Sequence, residues 1–311
     1  IKNNRRELNL SFIHYISSLP ELANKVHPNT KGIHKIRKNA RFCLWGVMYK
    51  STLTNILNAF GDSDIKPIFD NDPGIIEKPL KPYLCVSWSP KERAQHLSDH
   101  YRFLGQTFGE NACDVTSYQG VTILTFQDNN EEHYRVNLYC GASREGGLGL
   151  KLINAKGLEV YSLALNISGT AQHCMYIGMV QGPTPQIEDR PCLIRTLTRS
   201  LHGLRTKALM IEVALILAKR WNITQVKGVS NKGHIYQALR YMGSKRKSVT
   251  FDYDDFWKEY GGTAINKYLF DIPTKPERKD PSTLKKTKRR LYTKRYQWLE
   301  DTELTINENL D

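Results

Sequence analysis

The stretch LHGLRTKALMIEVALILAKRWNITQVKGVSNKGH, residues 201–234, carries the reading of the fold. From 206 to 221 the apolar residues Leu209, Met210, Ile211, Val213, Leu215, Ile216 and Leu217 fall on nearly the whole circumference of a helix. Such a helix has no side to give to water and must lie between layers. Residues 225–229 then read as a buried strand. Upstream, residues 121–126, 134–139, 148–153, 158–165 and 175–180 read as strands, separated by turn-rich pieces such as Asp128-Asn129-Asn130, Gly146-Gly147 and Asn154 to Gly157. Separations this short favour an antiparallel meander. Downstream, 193–201 and 234–241 read as helices, 249–253 as a strand, 254–260 as a helical turn and 266–270 as a last strand.

Residues 5–60 repeat apolar side chains at helical spacing, as in Leu8, Phe12, Tyr15, Ile16 and Leu19, and make a helical front end. Gly61, Pro67, Pro73, Gly74, Pro79 and Pro82, with four aspartates between them, predict a linker or long exposed loop over 61–82. Pro90 opens a helix, at the turn where a missing N–H costs nothing. The expected organisation is a helical region with its linker over 1–80, an α/β catalytic or binding domain over 81–273, and a basic helical extension over 274–311. The expected class is α+β, with helices on both faces of a mixed sheet.

With 45 Lys and Arg against 31 Asp and Glu, the 311 residues carry a net charge of +14. The surplus gathers near the C-terminus, where residues 275–295 hold ten cations and only Glu277 and Asp280 in opposition. An anionic partner is expected, either an acidic carrier protein or anionic lipid. Tyr292, Tyr296 and Trp298 among the cations imitate a nucleic-acid stacking surface, but no nucleic-acid motif accompanies them, which disfavours that partner. No run reaches the ~18 apolar residues of a transmembrane helix. Ile1, Lys2, Arg5 and Arg6 do not make a secretory signal, although Ile1 is not an initiator and a preceding leader stays open. The six cysteines lie at wide spacings without Cys-x-x-Cys, which reads as reduced cytosolic thiols rather than a zinc site or a disulfide framework.

Three constellations carry candidate chemistry. The first runs from Ser200 to Lys207 ahead of the buried helix, whose start attracts phosphate or an oxyanion. Gly203 allows close backbone approach, Arg205 and Lys207 add charge, and His202 titrates near neutral pH. A turn between helices with solvated cations explains the same letters. The second is Val229 to His234, where a strand ends. Asn231 would orient a substrate and His234 would act as base or metal ligand, against a plain turn shaped by Asn231 and Gly233. The third is Phe251 to Gly262, where Asp254 would orient a histidine, or would simply cap a helix ahead of Phe256 and Trp257. Gln181 and Gly182, at the end of the strand in YIGMVQGP, would line a pocket, or simply make the turn that ends the strand. His202, His234 and Asp254 together would make an open facial set for iron, without the compact spacing that supports one.

The runs LTRSLHGLRTKALMIEVALILAKRW, VKGVSNKGHIY, FDYDDFWKEYGG and PSTLKKTKRRLYTKRYQWLE, in that order and spacing, resemble the VirK/YbjX family. YIGMVQGP and RAQHLSDHYRFL extend the likeness over roughly residues 82–299, and Thr206 stands where the family has a proline. The resemblance implies a bacterial protein linked to envelope virulence functions and antimicrobial-peptide resistance, without a transferable activity. The element order also resembles GNAT acyltransferases, in which a Gly-rich turn before the central helix binds a pyrophosphate; here HGLRTKA has one glycine. RTX toxin-activating acyltransferases are similar to GNAT proteins and take acyl carrier protein as donor, with a histidine base. This implies an acyltransferase-like enzyme acting on a peptide, protein or envelope component, with a carrier-linked or coenzyme A-linked acyl donor. His202 would be the base, Gly203, Arg205, Lys207 and Gln181 would serve the donor, and Asn231, His234 and Asp254 would complete the site. The alternatives are a non-catalytic envelope accessory protein on anionic lipid, and an iron-dependent oxidoreductase. The expected location is the cytoplasm, or the inner-membrane periphery. A cleft gathering His202, Arg205, Asn231 and Asp254 would favour an enzyme, and scatter over the surface would favour the accessory role.

Overall fold

Helix α8 (Thr206–Arg220) is buried at every position from 208 to 218, as an all-round apolar helix must be. The structure, a computed structural model, describes residues 2–61, 65–142, 144–238 and 251–311, with side chains from residue 12 onward. In front of the sheet come α1 (Lys2–Val26), α2 (Gly32–Met48), α3 (Lys50–Ala59) and α4 (Lys66–Asn71), then a 3-10 segment, Pro73–Leu80. The stretch expected to be an exposed linker is therefore part of the core: Ile65, Ile68, Ile75, Ile76 and Leu80 are all buried. Its prolines and aspartates shape that segment from within. Pro73 stands in the first turn, where no donor is needed, and the Asp72 carboxylate accepts the Gly74 N–H.

Helix α5 (Pro90–Phe108) starts at a capping box, in which Ser89 and Glu92 satisfy each other's backbone N–H, and α6 (Ala112–Val115) follows. The predicted meander is present as β1 (Val121–Gln127), β2 (His133–Tyr139), β3 (Leu148–Asn154), β4 (Glu159–Ser168) and β5 (Cys174–Gln181), each antiparallel to the one before. Helices α7 (Arg190–Ser200) and α8 carry the chain across to β6 (Gln225–Val229), which pairs parallel with β5. After α9 (Tyr253–Glu259), the strands β7 (Thr263–Ala264) and β8 (Leu269–Ile272) close the eight-stranded sheet in the order β1-β2-β3-β4-β5-β6-β8-β7. Every residue of β3 from 148 to 153 is buried, and so is almost all of β4, so both faces of the sheet centre are covered. Helices α5 and α8 both pack on β4. The fold is α+β, with a helical front end, a mixed sheet and a C-terminal helix, α10 (Lys286–Asn309).

Three local expectations shift. The last strand begins at Leu269 rather than 266, because Asn266 spends its side chain on a turn, accepting the N–H groups of Tyr268 and Leu269. The expected strand over 249–253 is not one in its described part: Asp252 instead caps α9, accepting the Asp255 N–H, and residues 249 and 250 lie outside the described residues. The helix expected over 234–241 is a single 3-10 turn, Ile235–Gln237, and 239–241 lie outside the described residues. All six cysteines are free thiols.

The glutamate that interrupts the apolar helix has a dedicated partner. Glu212, buried in mid-α8, receives both guanidinium nitrogens of Arg278 at 2.9 and 2.7 Å. Arg295 of α10 donates twice to the His202 carbonyl, at 3.1 and 3.0 Å, and Leu299 and Ile306 sink into the core. The basic extension is thus anchored on the rest of the protein through Arg278, Arg295, Leu299 and Ile306, while residues 285–291 face water.

Candidate active site

Strands β5 and β6 pair from Cys174–Gln225 to Ile177–Gly228 and then part. At the parting point β5 carries a bulge: Ile177 faces Leu165 and Met179 faces Ala164, leaving Gly178 extra. Glycine is required there, since a Cβ would stand 1.9 Å from the Glu145 carbonyl oxygen. The loop between β2 and β3 therefore rests on the bulge. Two side chains of α9 take up the backbone groups freed by the fork. The Tyr253 hydroxyl accepts the Val180 N–H at 3.3 Å, and the Trp257 indole donates to the Val229 carbonyl at 2.7 Å while lying flush on Gly228.

Beside this filled fork opens a cavity of about 590 Å³, lined among others by Glu145, Tyr161, Gln181, Arg190, His234 and Tyr253. Glu145 is 6% exposed, and burial pushes its carboxyl above the usual carboxylate range, against the opposing effect of a hydrogen bond from Tyr236. Burial also holds His234 down to about 4, so its imidazole is neutral at physiological pH. Its ring stacks on Tyr253 with centroids 5.3 Å apart. Nδ1 lies 3.4 Å from the Tyr236 N–H as acceptor, which assigns the proton to Nε2. A carboxylate of raised proton affinity, in a cavity with a neutral imidazole, three tyrosines and an arginine, is equipped to remove a proton from an incoming nucleophile.

The sequence-derived residues fall into three sets. Gln181 and His234 meet in this cavity. Gly203 and Arg205 line a second, more basic cavity of about 820 Å³ between α8, α9 and the C-terminal extension, together with Lys258, Lys275, Arg278 and Arg295. Arg205 pairs with Glu259 at 2.6 Å. Lys207 lies 3.5 Å from the same carboxylate and 4.7 Å over the Phe256 ring. His202 sits beside them in left-handed backbone, φ 52°, and its proton affinity is lowered by burial and by Lys294 and Arg295.

Asn231 and Asp254 form the third set, and their chemistry is internal. The Asn231 N–H donates to Asp254 Oδ1 at 2.7 Å, its Nδ2 donates to Asp252 Oδ1 at 2.9 Å, and its Oδ1 accepts the Tyr253 N–H at 2.8 Å. They clasp the start of α9 and so position Tyr253 in the fork. Neither is hydrogen-bonded to a histidine in this arrangement. His202, His234 and Asp254 do not come together, and among the described residues no group of three His, Cys, Asp or Glu side chains could hold a metal ion.

Glu145 escapes a reading of the sequence because Gly146-Gly147 after it looks like an ordinary turn. The available signal was the glycine pair itself. A Cβ on Gly146 would stand 2.5 Å from the Leu165 backbone, so the glycines mark a loop pressed onto the sheet rather than one hanging in water.

The two cavities adjoin. Burial raises the proton affinity of Tyr161 in the Glu145 cavity, and the charge of Arg205, which lines the basic one, opposes that rise. The Lys207 ammonium stands 5.7 Å over Phe251, which lines the Glu145 cavity. Fold and site define an α+β protein with a buried carboxylate chamber at a sheet fork and a basic basin next to it. The chain belongs to the family described as "Protein of unknown function (DUF535)", which matches residues 31–308. It is 27% identical over 224 residues to the uncharacterized protein YbjX of Escherichia coli, covering 71% of this chain and 67% of that protein. An uncharacterized protein of Haemophilus influenzae is 23% identical over 279 residues, covering 89% and 91% of the two chains. A second from the same organism is 33% identical over 152 residues, covering 49% and 48%. Among the described residues no helix is long and apolar enough to cross a membrane.

Proposed function

We propose that this chain is an acyl-transfer enzyme whose base is Glu145 rather than His202. The observation that carries the reading is the burial of Glu145 in a cavity of substrate size, with Tyr236 hydrogen-bonded to it and His234, Gln181 and Arg190 around it. Glu145 removes the proton from an acceptor hydroxyl or amine, whose oxygen or nitrogen attacks the carbonyl of a thioester donor. A new ester or amide bond forms, the carbon–sulfur bond breaks, and the thiolate takes up a proton as it leaves.

The donor's phosphate binds in the basic cavity, where Gly203, Arg205, Lys207 and the start of α8 supply an anion site adjoining the chamber. Glu259 occupies these cations in the free protein, and the phosphate replaces it. Because Tyr253 and Trp257 fill the fork, the donor's arm enters by the open side of the chamber and does not thread between β5 and β6. An acyl carrier protein suits a surface with ten cations over residues 275–295.

The test is acyl transfer from carrier-linked and coenzyme A-linked donors to peptide and lipid acceptors. Glu145→Gln is expected to lose about 100-fold or more in turnover while still binding donor. Turnover like that of the unaltered protein would refute the assignment.

The filled fork, and the separation of His202 and Arg205 from Asn231 and Asp254, favour a second reading as a non-catalytic accessory protein. Absence of transfer from every donor, with the fold intact, would select it.

A further inference from the structure

Helix α2 has two apolar faces, and only one of them is used. Phe42 and Gly46 are buried inward: a Cβ on Gly46 would stand 2.9 Å from the Leu19 side chain, and the Tyr15 hydroxyl donates to the Gly46 carbonyl at 2.7 Å. These contacts fix which way α2 is turned. Ile33, Ile36, Ala40, Leu44 and Val47 follow at steps of three and four residues, which at 100° per residue gathers them on the side opposite Phe42. All five are exposed, Ile33 and Ile36 to 76% and 70%, and Met48 extends the stripe. Phe12, Ile13 and Ile16 of α1 are exposed as well, with Phe12 under the Lys50 ammonium at 4.8 Å, two residues beyond Met48. An apolar stripe this long on a water-facing helix marks a contact surface.

Charge says what the contact is. Residues 31–50 contain six Lys and Arg and no Asp or Glu. On the same helical projection Arg37, Arg41 and His34 lie along one edge of the stripe. An apolar face bordered by cations, on a helix too polar to cross a bilayer, is the chemistry of a helix that lies in the plane of an anionic membrane surface. A second copy of this chain would bring the same six cations against themselves, which disfavours a symmetric contact through this face. The C-terminal extension is a poorer candidate for lipid. Its cations border no apolar stripe, since Leu291 alone among the exposed large apolar side chains of the described residues falls within residues 275–295. We infer that the outer face of α2, with the exposed side chains of α1, docks the protein on an anionic phospholipid surface.

Flotation of the full chain with phosphatidylcholine vesicles, with and without phosphatidylglycerol, tests this. The protein is expected to float with the anionic vesicles only. Ile36→Asp with Leu44→Asp should weaken that binding by about tenfold or more, since it removes apolar area and adds like charge. Arg37→Glu with Lys38→Glu should abolish the preference for phosphatidylglycerol, while Lys285→Glu with Lys286→Glu in the extension should float unchanged. All substituted positions are exposed or half-exposed, and unchanged thermal unfolding checks that each variant is folded. Glu145→Gln should float like the unaltered chain, which keeps this result separate from the fate of the active-site proposal. The inference falls if the unaltered chain ignores anionic vesicles, if the Asp pair floats undiminished, or if sedimentation shows a dimer that the Asp pair dissolves.

Discussion

The Tyr253 hydroxyl takes the backbone N–H of Val180, at 3.3 Å, across the gap where β5 and β6 separate. No β-ladder partner remains for that N–H once the strands part. Tyr253→Phe keeps the ring and leaves a buried donor unpaired, at an expected cost of about 1–3 kcal/mol. Urea unfolding should show a lower midpoint with an unchanged slope. An unchanged midpoint would mean that the hydroxyl does not close the fork.

Asn231 makes three hydrogen bonds that hold the first turn of α9, one of them through its own backbone. Asn231→Ala removes the two side-chain bonds and should destabilise by about 2 kcal/mol. Asp254→Asn retains an acceptor oxygen for the Asn231 N–H and should cost less than about 1 kcal/mol. Thermal unfolding of the two variants side by side checks the order. If Asp254→Asn proves the more damaging, the clasp is misassigned and a charge-dependent role for Asp254 returns.

The sequence made the sheet legible and the chamber illegible for the same physical reason. Local period and turn chemistry fix the strands of the meander and the all-round apolar α8, because these depend on residues within a few positions of one another. The chamber depends on contacts over long separations: Glu145 against Gly178, Tyr253 against Val180, Asn231 against Asp252. Asn231 and Asp254 were recognisable as polar residues with work to do, but their partner turned out to be each other. Over 61–82 proline, glycine and aspartate read locally as loop punctuation, while the stronger signal is the set Ile65, Ile68, Ile75, Ile76 and Leu80, all buried.

Two histidines make the fold sensitive to acid. Burial lowers His100 to about 3, with help from Lys78, and His234 to about 4, both from an ordinary 6.5. The unfolded chain therefore binds protons that the native state refuses, and stability is full above about 6.5 and falls as pH drops towards those values. His234 alone accounts for roughly 3 kcal/mol across that window. The urea midpoint should fall clearly between pH 7 and pH 4.5. A midpoint flat over that range would show that both rings are solvated.

The pair between buried Glu212 and exposed Arg278 should behave asymmetrically. Arg278→Ala leaves the buried Glu212 carboxylate without its partner and is expected to cost about 1–3 kcal/mol, because Arg278 is itself partly in water. Glu212→Leu with Arg278→Met removes both charges and should recover most of that loss. Equal damage from the single and the double variant would indicate that packing, rather than the stranded charge, sets the cost.

Glu145 should trade stability for activity. Its proton affinity is raised in the native state, so the native fold is weakened as pH rises through the Glu145 titration, and Glu145→Gln removes that penalty. The variant is expected to melt at the same temperature or higher at pH 8, relative to the unaltered protein. A clear loss of stability would mean that the carboxylate is held by a charge partner.

The most direct measurement is the pH dependence of acyl transfer for the unaltered chain and for Glu145→Gln, with carrier-linked donor at saturation. With Glu145 as base, the unaltered enzyme should lose rate on the acid side with a midpoint above the ordinary glutamate value of about 4.3, and the variant should lack that limb at a rate lower by about 100-fold or more. The same limb and the same rate in the variant would contradict the account.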